Sequence, residues 1–440
     1  MTTLISPYQR IGRDIGVIHF GLGAFHRGHQ AVYFDDALRN GLGEWGIYGI
    51  SPRNAAVTDL LRRQNFLFTV NERQGNQQNP KVVSSIFNGT LFDLEHPDLI
   101  LAAKSPELKM MTLTVTEKSY LSGAESSSMP NRILDILEIR YRAELPAPTL
   151  ISCDNLPENG SFLRNVLLQS ASQRNLDQDF QNWLAELSTP NSMVDRIVPA
   201  ITSDSINQFE KDFGYRDESL ISTEPFRQWV VAPHATTYNL TKLGIEVADD
   251  VAAYEQLKLR LFNGAHSSTA YFSQLSNVEY VYQAMQIPQW ESFISELQSE
   301  LSKSFLAPVG VDVASYSATA RFRIANSAVA HRSAQIAMDG SAKLPQRLFK
   351  AMNSLALLEQ SRERLAFAIA LWMRFLQSEL MLVDPLADAL RERARSSDPV
   401  AQVMQTPGLR DAVVESQWPL INHYLHELEN HQPIDMAANF

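Results

Sequence analysis

The sequence predicts an α/β fold, with a Rossmann-type N-terminal domain followed by a mainly α-helical C-terminal domain. Three observations predict it. Short β-rich apolar runs alternate with helical stretches through the first half of the chain. A glycine pair, Gly21 and Gly23, closes the first of these runs. After about residue 225, apolar residues recur at helical spacing instead. A length of 440 residues exceeds the usual single core and accommodates two domains, read as 1–225 and 226–440.

Taken in order, IGVIHFGLG reads as a buried strand ending in glycines, and GHQAVYFDDALRN as the helix behind it. GEWGIYGISPRN is a second strand with its loop, and NAAVTDLLRRQ a second helix. MMTLTVTEKSY and PTLISCDNLPENG are further apolar runs, each ending in polar residues. Strands separated by helices, with polar residues at their carboxyl ends, describe an open parallel sheet whose ligands sit outside those ends. YEQLKLRLFNGAH, WESFISELQSELSKSF and RERLAFAIALWMRFLQSELM carry the helical half, with Gly and Pro gathered between them in LAPVGVD and SAKLPQRL. SMVDRIVPA and EPFRQWVVAP fit either domain, so the boundary is broad.

Composition removes several functional classes. A net charge of -11 without a basic run argues against a nucleic-acid surface, though it leaves an anionic small substrate open. No run reaches the roughly 18 apolar residues of a spanning helix, and MTTLISPYQRIGRD has no apolar signal core, so neither membrane nor export is expected. The lone Cys153 rules out a disulfide framework and any multi-cysteine zinc site, and a reducing cytoplasm fits it.

Gly21-Leu22-Gly23 follows a strand and precedes a helix, the context of a dinucleotide site. There glycines let the backbone turn sharply and approach a pyrophosphate. The third glycine of GxGxxG is missing: His26 stands there, and Gly28 comes two residues later. A simple turn is the competing reading. Phe25-His26-Arg27-Gly28-His29-Gln30 is too polar for an ordinary helix start above a core, whereas His19, inside the strand, reads as a packed core histidine. The second strand lacks the acid that binds a ribose in NAD sites; Arg53 could accept the 2′-phosphate of NADP or be a solvated loop arginine. Glu117, Lys118 and Tyr120 end one apolar run, and Asp154 and Asn155 another. Asp195 and Arg196 read by default as a neighbouring ion pair.

Lys258, Asn263 and His266 fall within KLRLFNGAHSSTAY. On a regular helix, at about 100° per residue, Asn263 lies roughly 140° and His266 roughly 80° from Lys258, so all three share half of the surface. A solvated lysine is the ordinary outcome on a helix. Here Leu257, Leu259, Leu261 and Phe262 surround it, and burial disfavours the charged form, which suits a general base. Asn263 and His266 could donate to an oxygen that gains charge during reaction. His266 has no second histidine or paired carboxylate at ligand spacing, so no metal is expected.

GLGAFHRGHQ, TVTEKSY, SCDNLPENG, MVDRIVPA, EPFRQWV, KLRLFNGAH and HRSAQIAMDGSAKLPQR together resemble, in order and over nearly the whole chain, the long-chain polyol dehydrogenases, the family of mannitol 2-dehydrogenase and fructuronate reductase. The resemblance implies zinc-independent, NAD(H)-dependent interconversion of a secondary alcohol and a ketone, with NADP not excluded. It makes Lys258 the general acid/base, assisted by Asn263, with His266 binding the reacting oxygen. Asn155 and Asp195 become substrate-side residues. Gly21, Gly23, Ala24, Phe25 and Glu117 fall on the cofactor side. The stretch ending in Lys343 and Arg347 looks closest to the fructuronate reductase branch, and those two cations suit a substrate carboxylate, with His331 and Arg332 as alternatives. Ser119, Ile324 and Ser327 depart from the family pattern and leave the substrate open among sugar acids, neutral polyols such as mannitol or arabinitol, and sugar phosphates. A non-catalytic NAD-binding regulator is the reading from another class, and nothing in the sequence dictates an oligomeric state.

Overall fold

The computed structural model describes residues 4–116, 119–120, 128–236, 238–410 and 412–440. The chain forms two compact units, Met1–Ala252 and Ala253–Phe440.

Among the described residues the first unit has eleven strands: β1 (Ile15–Phe20), β2 (Gly46–Ser51), β3 (Phe68–Gln74), β4 (Gln77–Val83), β5 (Ile86–Leu91), β6 (Met110–Leu113), β7 (Thr149–Ser152), β8 (Ser192–Asp195), β9 (Ile221–Thr223), β10 (Gln228–Val231) and β11 (Glu246–Val247). Five of them make a wholly parallel sheet in the order β5-β2-β1-β6-β7. Counting only these five, the order is 3-2-1-4-5, and the direction of winding reverses beside β1, at the gap shared with β6. That reversal is where doubly wound sheets bind ligands.

The strands read as unbroken apolar runs because both faces of the sheet are covered. Val17, Ile47, Met110 and Ile151 point to one side and pack with Ala31, Phe34 and Leu38 of the helix Gln30–Arg39. Ile18, Phe20, Tyr48, Ile50, Met111 and Leu150 point to the other. They meet Leu99 of helix Pro97–Ala103, Ile133 and Leu137 of helix Met129–Arg142, and Leu163 and Leu167 of helix Asn159–Gln173. The alternation follows from the two-residue period of a strand.

Between β2 and β5 the chain inserts a hairpin that the sequence reading passes over. β3 and β4 pair antiparallel across Gly75-Asn76, with Gly75 at φ +56 as a two-residue turn requires, and β9 joins β3 in parallel. β4 is polar and contains Pro80, which an edge strand tolerates because one row of its amides faces away from the sheet. A third sheet, again of three strands, sets β10 antiparallel to β8 and parallel to β11. Since β10 and β11 complete a sheet of the first unit, that unit runs 27 residues beyond the 225 read from the sequence, to Ala252.

The second unit is helical. Its centre is Glu363–Gln377, in which every residue from Leu365 to Met373 is fully buried. A helix apolar on all sides must be surrounded. Ala265–Leu275, Pro288–Ser302 and Trp418–Asn430 pack around it. No helix among the described residues is long and apolar enough to cross a membrane.

Candidate active site

In the first unit the glycine loop leaves β1 under tight constraint. Gly21 stands at φ +102, and a Cβ there would lie 2.2 Å from the Thr114 carbonyl oxygen. Its N–H donates to the Ile50 carbonyl at 2.9 Å, and its own carbonyl accepts from Thr114 Oγ1 at 2.9 Å and from His19 Nε2 at 3.0 Å. A carbonyl can only accept, so the His19 proton is on Nε2, and Nδ1 accepts from Thr112 Oγ1 at 2.7 Å. His19 is thus a packed core histidine, and burial pushes its pKa down to about 3.

Gly23 differs. It has ordinary extended torsions at the head of the short helix Ala24–Gly28, and a Cβ on it would meet nothing within 4 Å. Ala24 and Phe25 are half-buried beside it. His26, in the place of the third glycine, is fully buried and lays its ring on His19, with centroids 3.4 Å apart. Gly28 makes a close approach of another kind: its missing Cβ would lie 3.0 Å from the Val198 side chain and 3.1 Å from that of Ile221 in β9, outside the parallel sheet.

The ends of β6 and β7 are joined through Asp154. Its carboxylate accepts from the Val115 amide at 3.2 Å, the Thr116 amide at 2.9 Å and the Tyr120 hydroxyl at 2.7 Å, and burial raises its pKa. Asn155, the next residue, is exposed. Glu117 lies outside the described residues. Asn159, which sequence reasoning missed, is buried and connects this turn to β8: its amide nitrogen donates to the carbonyls of Asp154 (3.1 Å) and Ser192 (2.8 Å), and its oxygen accepts from the Ser192 amide (2.8 Å). Asp195, buried, ends β8. Its neighbour Arg196 is engaged elsewhere, with Glu72 at 2.5 Å and the Gly28 carbonyl at 2.6 Å, which corrects the default pairing of the two.

In the second unit Lys258, Asn263 and His266 do not share a regular helix. Lys258–Gly264 is a π-helical segment between the α-helices Val251–Leu257 and Ala265–Leu275. With i→i+5 hydrogen bonding, Asn263 stands one turn beyond Lys258, in place of the wide separation a regular helix imposes. Lys258 is buried and Asn263 half-buried. His266 follows in the next turn, buried, and its Nε2 has no hydrogen-bond partner among the described residues.

A second π-helical segment, Pro345–Phe349, carries Arg347 and packs on the first; Gly264 faces Leu348 and the Arg347 carbonyl. Arg347 donates to Ser267 Oγ at 2.8 Å, and burial brings its pKa down to about 10. Lys343 donates to the Met338 carbonyl at 2.7 Å, its pKa lowered by burial and then by Arg347. Around His266 the charge is positive. Burial drives its pKa well below the usual value, and His331, Arg347, Arg323 and Lys343 add to this, so the imidazole is neutral at neutral pH. His331 stacks on it at 5.5 Å and is itself held down to about 4 by burial. Arg332, the other alternative cation, turns to Glu279 at 2.9 Å. Arg323 escaped the sequence reading: it is buried with its guanidinium 4.0 Å over the Phe262 ring, a placement no local pattern announces. Among the described residues no three His, Cys, Asp or Glu side chains gather as metal ligands.

The Mannitol dehydrogenase Rossmann domain matches residues 15–243 and the Mannitol dehydrogenase C-terminal domain matches residues 250–416. D-mannonate oxidoreductase of Escherichia coli (strain K12) is 32% identical over 428 residues, covering 88% of each chain. Mannitol 2-dehydrogenase of Aspergillus fumigatus is 31% identical over 433 residues, covering 89% of this chain and 86% of that protein. The Pseudomonas fluorescens mannitol 2-dehydrogenase ternary complex with NAD and D-mannitol superposes with a TM-score of 0.85 at 27% identity, over 99% of this chain and 95% of that one.

Proposed function

This chain belongs to the mannitol dehydrogenase family, and from that membership we propose that it is an NAD(H)-dependent secondary-alcohol dehydrogenase interconverting a keto-uronate and its aldonate. One observation carries the proposal: His266, neutral and buried with an unsatisfied Nε2, follows the π-helical turn that bears Lys258 and Asn263, among cations. A buried polar atom left without a partner costs free energy, so a ligand oxygen at that place is the natural complement.

The glycine loop suits a dinucleotide. Gly23 leaves bare the space its Cβ would fill, and Gly21, Ala24 and Phe25 complete the loop that would hold the pyrophosphate. When bound, NAD(H) supplies the hydride in reduction and takes it up in oxidation. Lys258 gives its proton to the substrate carbonyl oxygen as that oxygen becomes an alkoxide, and in oxidation takes the hydroxyl proton back. Asn263 and His266 donate to the same oxygen and hold it while charge develops, and Lys343 and Arg347 bind the substrate carboxylate. Asn155 and Asp195 keep the substrate-side roles, and Glu117 the cofactor-side role, that the resemblance implies. A reducing compartment such as the cytoplasm suits a chain whose one cysteine, Cys153, is a buried free thiol.

A neutral polyol is the second reading, favoured by the surroundings of Lys343: its ammonium already holds the Met338 carbonyl, and Asp339 and Asp384 lie close enough to act on it. Nicotinamide absorbance measured with fructuronate, tagaturonate, fructose and mannitol separates the two. We expect the keto-uronates to exceed fructose at least tenfold in kcat/KM, and Lys343→Ala to erode that margin. Equal rates on acidic and neutral substrates would sink the uronate reading. Lys258→Ala should lower kcat by about 10² or more on whichever substrate is used, and a folded variant with near-full turnover would refute the lysine's role.

A further inference from the structure

We propose that the carboxyl end of β2 is a 2′-phosphate site, so that the chain takes NADP(H) as well as NAD(H). The inference rests on the dinucleotide-binding reading given above. In a sheet of this order the adenosine ribose lies beyond the second strand. A carboxylate there accepts from the ribose hydroxyls of NAD, whereas an arginine there accommodates the extra phosphate of NADP.

No carboxylate is available from the strand itself. β2 ends at Ser51 and continues as Pro52-Arg53-Asn54, and the first acid after Gly46 is Asp59. Asp59 pairs with Arg62 at 2.6 Å, and Asp93, just past β5, closes its own turn by accepting from the Glu95 amide at 2.9 Å. Asn54 is engaged as well, accepting from the Ala56 amide at 3.1 Å.

Cations occupy the corner instead. Arg53 is exposed and donates from Nη2 to Ser119 Oγ at 2.9 Å, while that hydroxyl donates to the Val115 carbonyl at 2.6 Å. β2 and β6 flank β1, so this bond links the turn after β2 to the segment following β6, from one side of β1 to the other. The loop is tied to β2 by the bond from Gly21 N–H to the Ile50 carbonyl. Arg132 donates to the Pro52 carbonyl and lies 4.9 Å over the Phe92 ring, which fixes the turn that carries Arg53. Among the described residues no carboxylate pairs with Arg53. A guanidinium held by one neutral hydroxyl can exchange that bond for two phosphate oxygens, a geometry it fits in bidentate fashion.

Calorimetric titration of the full chain with adenosine 2′,5′-bisphosphate and with 5′-AMP tests the site without any turnover. It therefore reads out even if the dehydrogenase reading fails. The bisphosphate should bind on the order of tenfold more tightly or better, as charge-assisted hydrogen bonds to a phosphate warrant. Arg53→Ala should cut that ratio toward one. NADPH against NADH, followed by fluorescence on the same two proteins, should show the same change in ratio. Equal affinity for the two nucleotides, or an Arg53→Ala variant that weakens both by the same factor, would overturn the proposal.

Discussion

Gly21 and Gly23 stand two residues apart and are glycine for opposite reasons. At Gly21 the fold itself leaves no alternative, because the backbone is left-handed and the Thr114 carbonyl occupies the place of a Cβ. Gly21→Ala should therefore cost at least about 2 kcal/mol in urea denaturation. At Gly23 the protein places nothing against a Cβ, so Gly23→Ala should unfold with the wild-type midpoint yet bind NADH on the order of tenfold more weakly by fluorescence titration. Loss of stability at Gly23, or unaltered NADH binding, would mean that the bare face is not where a pyrophosphate lies. The glycine spacing was legible in the sequence because a strand, a turn and a helix are local matters. The meaning of His26 was not: it fills the third-glycine place because its ring rests on His19, seven residues earlier in β1, and only the assembled sheet brings the rings together.

Two π-helical segments, Lys258–Gly264 and Pro345–Phe349, carry candidate site residues and pack against each other at Gly264. Such segments are rare and recur at functional sites. Here the longer one sets Lys258 and Asn263 a single turn apart. The sequence announced the residues but not this geometry. No side-chain pattern specifies i→i+5 bonding, which depends on packing of the second segment more than eighty residues away. The β3–β4 hairpin went unread for a related reason, since its polar edge strand carries no alternating apolar face. The contact at Gly264 is testable in grades. An added methyl would sit 3.3 Å from Leu348 Cδ2 and 3.4 Å from the Arg347 carbonyl, tight enough that its strain should roughly offset the helical preference of alanine over glycine. Gly264→Ala should stay within about 1 kcal/mol of wild type. Gly264→Val, overpacked, should lose about 1–3 kcal/mol and, by displacing Arg347, lower kcat/KM more for a keto-uronate than for fructose. Equal losses on both substrates would separate Arg347 from carboxylate binding.

For the molecule as a whole, alternating strands and helices gave away the parallel sheet, and helical spacing gave away the second unit, but where one ends and the other begins was hidden. SMVDRIVPA and EPFRQWVVAP fit either half because each supplies one strand of a pair: β8 lies in the first and β10 in the second. Their partnership spans more than thirty residues of chain. Trp229 of β10 is fully buried and meets Tyr33 at 5.6 Å and Phe34 at 5.9 Å on the helix Gln30–Arg39. A chain cut at residue 225 would strip that helix of its aromatic cover and leave β8 unpaired, exposing the buried Met193 and Val194. Loss of one buried aromatic alone costs about 3–5 kcal/mol, a large part of the stability of a domain. A chain cut at Ala252 keeps every strand of the three sheets. Expressed separately, residues 1–252 should unfold in one cooperative transition by circular dichroism and bind NADH, whereas residues 1–225 should show neither. A cooperative, NADH-binding 1–225 fragment would mean that β10 and β11 are dispensable to the first unit, and that the boundary read from the sequence describes the folding unit better than the strand pairing does.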